Sequence, residues 1–532
     1  MTTLDMFCLT IYFVLVAIVA IWTGRGSRKD SKSFFLAGGS IGWVAIGASI
    51  FASNISTEHF IGLAGTGASS GLAVAQFEIL ACLILLLLGW LFVPFYLRTG
   101  VFTMPEFLER RFNSKCRTYL SGISIVAYVF TKVSVAVYAG ALVLNTMLGW
   151  NMWLGAIALI LATGVYTVFG GLKAVIYTDF FQAFVLVLGA AILTGIAVTK
   201  VGGVHELLIQ TPPEFMSLWK SASDPDFPWT GIIFGAPLLG IWYWCTDQMI
   251  VQRTLASRNV DDARKATVMA GFLKILPMFL LVLPGLAGRI IYPDVAPDAI
   301  YATMVNNLLV PGVKGFVVAA LLSALMSSLS SVFNSGATLM VMDFYKRFKP
   351  ETPEKKLVHV GQATTGFLIL VSLAWLPFIG VMSNQLYVYL QSVQGYISPP
   401  ITAVFLLGVL WKRANGKAAF AALITGFIVG AARFLTEVLV KSGILSHRFF
   451  TLFAGINFLH FAFFLFALSL LVIIVVSLLT APPTKNNLSI FAQTKDTGEV
   501  VAKPQALTVM LSILLGFVVI GIWLIFSPLV FN

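Results

Sequence analysis

Several apolar stretches of this chain carry polar side chains where hydrocarbon is expected. One reads Ser49-Ile-Phe-Ala-Ser-Asn-Ile-Ser-Thr-Glu-His59, within a stretch that also holds glycines from Gly42 to Gly71. Hydroxyls, an amide, a carboxylate and an imidazole this close together are incompatible with lipid tails, because every polar group at membrane depth needs a partner. A helix interrupted here would resolve the conflict. Its freed carbonyls could coordinate a cation while the side chains face a cavity. An intact helix buried in a bundle, its polar groups bonded to neighbours, is the alternative.

A second such stretch is Gly240-Ile-Trp-Tyr-Trp-Cys-Thr-Asp-Gln248, preceded by Gly235 and Pro237. Glycine and proline in mid-span suit an interrupted helix, and the aromatic rings offer flat, rigid faces; an interfacial aromatic belt is the competing reading of Trp242. A third is Ala324-Leu-Met-Ser327-Ser328-Leu-Ser330-Ser331. Positions 324, 327, 328 and 331 share one helical face, which therefore presents clustered hydroxyls. Oxygen donors of this kind suit a hard cation such as sodium, although a single membrane serine more often bonds back to its own helix. Glu78, Asp179 and Lys274 are isolated ionisable groups in apolar surroundings, and Gln391 opens a polar run ending in Ser398-Pro-Pro. Glu78 and Lys274 could equally form a buried pair that only stabilises the bundle. Lys132 is expected to snorkel or pair and is assigned no role.

The elements that position these groups follow from composition. Of 532 residues, 58% are apolar and 11% charged, with a mean hydropathy of +0.93, which excludes a water-soluble domain. Spans are expected near 5–23, 41–65, 72–97, 117–146, 151–170, 177–199, 227–249, 266–288, 311–344, 358–380, 385–411, 416–436, 458–480 and 508–530. The chain thus reads as an all-α polytopic membrane protein of about fourteen transmembrane helices. The first span is followed rather than preceded by basic residues, the reverse of a cleaved signal peptide. Most of the 34 Lys and Arg fall in alternate loops, which places both termini outside. Loops 200–226 and 289–310 should carry short interfacial helices, and 481–506 a mobile inner loop. The only sequon-like patterns lie in a span and on the inner side, which favours a bacterial inner membrane. The interrupted second and seventh spans are five positions apart, the signature of a five-plus-five inverted repeat. This divides the chain into 1–36 (first flanking helix and inner loop), 37–411 (the core, with repeats at about 41–199 and 227–411) and 412–532 (three flanking helices). The net charge of +12 is dispersed over short loops, so no nucleic-acid partner is expected. Cys8, Cys82, Cys116 and Cys245 give neither a disulfide framework nor a zinc spacing. No phosphate loop or nucleophile elbow is present, so an enzyme is not expected.

These residues stand in phrases that together resemble the sodium:solute symporter family, and within it the sodium/glucose cotransporter branch. The phrases include Phe35-Leu-Ala-Gly-Gly, Gly47-Ala-Ser-Ile-Phe-Ala-Ser-Asn-Ile, Gly62-Leu-Ala-Gly-Thr-Gly, Gly89-Trp-Leu-Phe-Val-Pro, Thr103-Met-Pro-Glu, Thr167-Val-Phe-Gly-Gly-Leu and Val175-Ile-Tyr-Thr-Asp179. Further along come Trp242-Tyr-Trp-Cys-Thr-Asp-Gln, Val251-Gln-Arg, Leu325-Met-Ser-Ser-Leu and Val404-Phe-Leu-Leu-Gly. The resemblance implies a leucine-transporter-type core and sodium-coupled import of a neutral, glucose- or galactose-like hexose by alternating access. The expected partners are sodium, the sugar and the bilayer, with sodium as coupling ion and no other cofactor, in a multi-pass plasma-membrane protein.

Carried over by motif position, the resemblance implies a sugar site of Asn54, His59, Glu78, Trp244, Lys274 and Gln391. Tyr243 would close it from the inside, with Phe77, Leu63 and Tyr387 roofing it from the outside. The principal sodium site would use carbonyls of Ala52, Ile55 and Ala324 and the hydroxyls of Ser327 and Ser328. Asp179, Ser330 and Ser331 would form a second sodium site, hence two ions per sugar. Two positions depart from the pattern. Gly240 stands where relatives place a polar side chain that helps bind sugar, and Glu58 where the animal glucose carriers have glycine. A sodium symporter for myo-inositol, mannose or another solute, and a sodium-gated sugar sensor, are the rival readings.

Overall fold

The structure, a computed structural model, describes all residues except Gly26, Arg28, 376–385, 497–503 and Asn532; it leaves undescribed the side chains of Phe130, Ser134, Trp375, 386–390 and 492–496. The described residues are helical throughout, with only isolated bridges such as Ile41 to Ser257 outside the helices. Among the described residues, eleven helices are long and apolar enough to cross a membrane. The expected spans map onto them once three features are taken into account.

Met152–Val201 is 50 residues long, far more than a bilayer requires, and it breaks at Gly171 (φ 61°, ψ −171°), dividing it into the fifth and sixth spans. The second span is two helices, Trp43–Asn54 and Thr57–Ser70; the latter then runs on toward the third span. The seventh span is short pieces, Trp229–Phe234, Ala236–Ile241, a π-turn at Trp242–Thr246 and Gln248–Leu255, none long enough to span alone.

Both breaks have local causes. Ile55 and Ser56 are extended, and the helix restarts with a capping box: Ser56 accepts from the backbone of His59, whose Nδ1 accepts from Ser56 N–H at 3.3 Å. The Ser56 N–H is thereby diverted from Ala52, the carbonyl it would bond in a continuous helix. In the seventh span Asp247 is extended (φ −74°, ψ 129°) and caps the next helix by accepting from Met249 N–H at 2.8 Å.

The ninth span, Val313–Leu339 continued by a π-turn to Tyr345, is the most enclosed; 94% of its apolar window is buried. It packs against both halves of Met152–Val201, against the broken second span and against the second half of the seventh. Short helices do occupy the loops at Val204–Gln210 and Ile300–Leu308. The expectation of a mobile loop over 481–506 is corrected in its first half, where Lys485–Asp496 is a helix and Asn487 Nδ2 donates to the Phe112 carbonyl at 3.0 Å; 497–503 lie outside the described residues. Several arginines read from the sequence as loop or span-end residues are buried instead. Arg111 donates to the carbonyls of Gly408, Ala414 and Trp411, Arg433 to those of Ala454 and Ile456, and Arg253 lies deep among the central helices.

Candidate functional site

The breaks in the second and seventh spans open onto one central cavity of about 80 Å³, several times the ~10–15 Å³ a single water needs. Asn54, His59, Glu78, Trp244 and Gln391 line it, as do Tyr243 and Phe77 of the expected gates. Lys274 does not line the cavity. It is 1% exposed behind the wall, where Nζ donates to Asn54 Oδ1 at 2.6 Å and pairs with Glu78 Oε2, and it sits 5.4 Å from the Trp244 ring centre. Leu63 is fully buried and does not face the cavity, so its expected roofing role has no counterpart here. The Tyr387 side chain lies outside the described part of the structure.

The cavity brings in residues that were given no part. Glu58 reaches it from the first turn after the break, its carboxylate held by the Ser56 hydroxyl. Gln394 lines it one helical turn beyond Gln391. Lys132 lines it too, with Nζ 2.6 Å from Asp247 Oδ2 and 4.5 Å from the Tyr243 ring centre. Tyr128 holds the other Asp247 oxygen. Glu58 and Asp247 were legible as acids inside apolar stretches; Glu58 is held locally by Ser56, whereas the Asp247 partners Tyr128 and Lys132 lie on another span.

At the edge of the same cavity the ninth span meets the break. Ser328 Oγ donates to the carbonyls of Ser53 at 3.0 Å and Ile55 at 3.3 Å. Ala52, Ile55 and Ala324 are buried beside this junction. Ser327, expected to share an ion with Ser328, turns the other way and donates to Asp179 Oδ1 at 2.6 Å.

Asp179 lies eight residues past the Gly171 break, well inside its helix. The companions expected for it are corrected. Ser330 Oγ bonds back to the Ser327 carbonyl, and Ser331 Oγ to that carbonyl and to Ser53 Oγ; neither hydroxyl touches Asp179. Its partners are Ser327, Ser49 at 2.6 Å, Ser53 at 3.1 Å and the Arg253 guanidinium at 3.0 Å. Arg253 also donates to Ser49 and Ser331, and both it and Asp179 are completely buried. Asp179, read from the sequence as an isolated ionisable group, is thus paired with Arg253 from another helix. Placing the end of the seventh span at 249 put Arg253 in a loop; a helix restarting after Asp247 carries it back into the membrane.

The arrangement offers carbonyls and a hydroxyl at a helix break, suited to a hard monovalent cation, beside a cavity walled by amides, an imidazole, carboxylates and indole. Comparison with known proteins agrees with this reading. The model of the sodium:solute symporter family matches residues 34–426. The chain is 40% identical to sodium/glucose cotransporter 1 of Oryctolagus cuniculus, over 90% of this chain and 79% of that protein. It is 38% identical to the sodium/myo-inositol cotransporter of Homo sapiens, over 91% and 74% respectively. Its fold matches that of a substrate-bound, outward-open Na+-coupled sialic acid symporter with a TM-score of 0.78 at 22% identity, over 90% of this chain and 99% of that one. The chain belongs to the sodium:solute symporter family.

Proposed function

We propose that this protein is a secondary active carrier that couples sodium entry to import of a neutral hexose. One observation carries the reading. Adjacent residues of a single helix break serve both cargoes: Ser53 and Ile55 offer carbonyls to Ser328, while Asn54, between them, faces the cavity and holds Lys274. A cation that replaces the Ser328 hydrogen bonds with direct coordination stiffens the break and fixes Asn54. Solute affinity then depends on the ion, and by linkage ion affinity depends on the solute.

The solute wall fits an uncharged ring rich in hydroxyls. Asn54, Gln391 and Gln394 both donate and accept, Glu78 accepts, and the Trp244 indole offers a face for the ring. Lys274 neutralises Glu78 from behind, so this carboxylate accepts from hydroxyls without standing as an unpaired charge. The similarity to sodium/glucose cotransporters supports a hexose; that to sodium/myo-inositol cotransporters supports a cyclic polyol as the second reading.

The principal ion is assigned to Ala52, Ile55, Ala324 and Ser328, with Ser327 shared toward Asp179. A second ion is assigned to Asp179, where it must displace a contact of Arg253. Each charge moved through ~100 mV contributes roughly 2.3 kcal/mol. Two ions therefore supply on the order of a thousandfold accumulation of sugar before any sodium gradient is counted. The protein is expected in the plasma membrane with both termini outside. Uptake of labelled glucose into proteoliposomes tests the reading: accumulation above the external concentration, driven by inward sodium and abolished by potassium replacement, is the expected result. Sodium-independent equilibration, or no movement of any hexose or myo-inositol, would refute it.

A further inference from the structure

One wall of the central cavity has no use in the reading above. Among the lining residues, Leu80 and Ile84 on the third span and Ala236, Leu239 and Gly240 on the seventh bring only hydrocarbon side chains or none to the cavity. Leu80 and Ile84 are one helical turn apart, as are Ala236 and Gly240, so two neighbouring helices present one continuous apolar strip. Gly240 is the residue that departs from the family pattern, and the structure gives the departure a shape. A Cβ built at Gly240 would collide with Ile84 Cδ1. Ile84 therefore occupies the space that a side chain at position 240 would take, and it is itself only 6% exposed. The hydrogen-bonding side chain is absent, and a hydrocarbon group fills its place.

Binding chemistry makes this selective. A sugar hydroxyl pressed against such a strip loses water and gains no partner, a cost of about 5- to 150-fold in affinity. A hydrogen or methyl at the same point loses nothing and gains apolar contact. We propose that the Gly240–Ile84 wall makes this carrier selective for deoxy sugars: neutral pyranoses in which one hydroxyl is replaced by hydrogen, or the hydroxymethyl group by methyl. The inference rests on the sugar-transport reading and names the substrate class within it.

The test compares sodium-driven uptake by the unmodified protein of glucose, galactose, their monodeoxy derivatives and their 6-deoxy forms. The expected result is at least one deoxy compound taken up with an apparent affinity about fivefold or more above its parent, the others being weakened by loss of a bond to the polar wall. Parents preferred over every deoxy form would overturn the proposal while leaving sugar transport intact. Absence of sodium-driven uptake of all pyranoses would overturn the functional reading itself, and the proposal with it. The variant Gly240→Ser in an Ile84→Ala background restores a hydroxyl and the room for it. It should shift preference back to the parent sugar, and an unchanged preference order in protein that still transports would also count against the proposal.

Discussion

Two buried ion pairs flank the break in the second span, and their surroundings differ. Lys274–Glu78 lies at the cavity wall: Glu78 lines the cavity, and the ammonium is shared with the Asn54 amide and the Trp244 face. Arg253–Asp179 has no such opening. Both side chains are 0% exposed, and the carboxylate is ringed by hydroxyls from the second and ninth spans. A pair beside a cavity can exchange partners with a solute at small cost, because water or sugar hydroxyls replace what is given up. A sealed pair can exchange only when another cation arrives, since separating it strands a charge in low dielectric. On the proposed function, the contrast suits the first pair to solute recognition and the second to ion coupling.

Removing one member of each pair should break this contrast most visibly. Arg253→Met strands Asp179 and is expected to destabilise the protein by about 3–5 kcal/mol. The loss should be read in thermal unfolding of detergent-solubilised protein and largely reversed by adding Asp179→Asn. If Arg253→Met and Lys274→Met unfolded alike, the two pairs would have to be treated as equivalent.

Ser328→Ala comes next. It removes a side chain that bonds both the Ser53 and Ile55 carbonyls, and alanine suits the helix, so the fold should persist while sodium-dependent uptake is lost. Ser330→Ala, which removes a bond to the Ser327 carbonyl and none to the broken second span, should leave sodium affinity within a few-fold; equal losses in both would remove the principal ion from this junction.

On the solute side, Lys274→Ala and Gln391→Ala should each weaken apparent sugar affinity by roughly 5- to 150-fold while sodium affinity measured without sugar stays unchanged. Sugar kinetics indifferent to both substitutions would exclude these residues from recognition.

The smallest effect concerns Asp298, in the segment between the eighth and ninth spans. Burial pushes its carboxyl up to about 6, and it packs so that a Cβ at Gly65 would lie 2.6 Å from Oδ1. Packing of this segment is thus strongest with the carboxyl protonated. Its contribution is complete below the ordinary value of 3.8 and is lost as pH rises through about 6. Hydrogen exchange of Ile300–Leu308 should quicken across that interval, and Asp298→Asn should flatten the dependence; an identical pH profile in the variant would contradict it.

The helical bundle was legible because apolar runs of span length have few other uses, and the second break because Ser53 to His59 cannot face lipid. The seventh break was legible as a region, but its position at Asp247 was not. Placing the span end early cost the recognition of Arg253, since a cation six residues after an extended acid looks like a loop residue until the helix is seen to restart. The direction of each serine hydroxyl was also beyond reach. Ser327 and Ser328 are consecutive, yet one bonds Asp179 and the other the broken second span, a division set by helix packing. The burial of Lys274 behind Asn54 and Glu78, and the filling of the Gly240 gap by Ile84, depend likewise on neighbours distant in sequence.

The ratio of charge to sugar moved by voltage-clamped proteoliposomes tests most directly whether the sealed pair serves the ions and the cavity pair the solute. The account predicts two charges per sugar in the unmodified protein, one in Asp179→Asn, and still two in Lys274→Ala despite its weakened sugar affinity. A ratio of one in the unmodified protein that does not respond to Asp179→Asn would contradict it, leaving Asp179 and Arg253 as a structural pair alone.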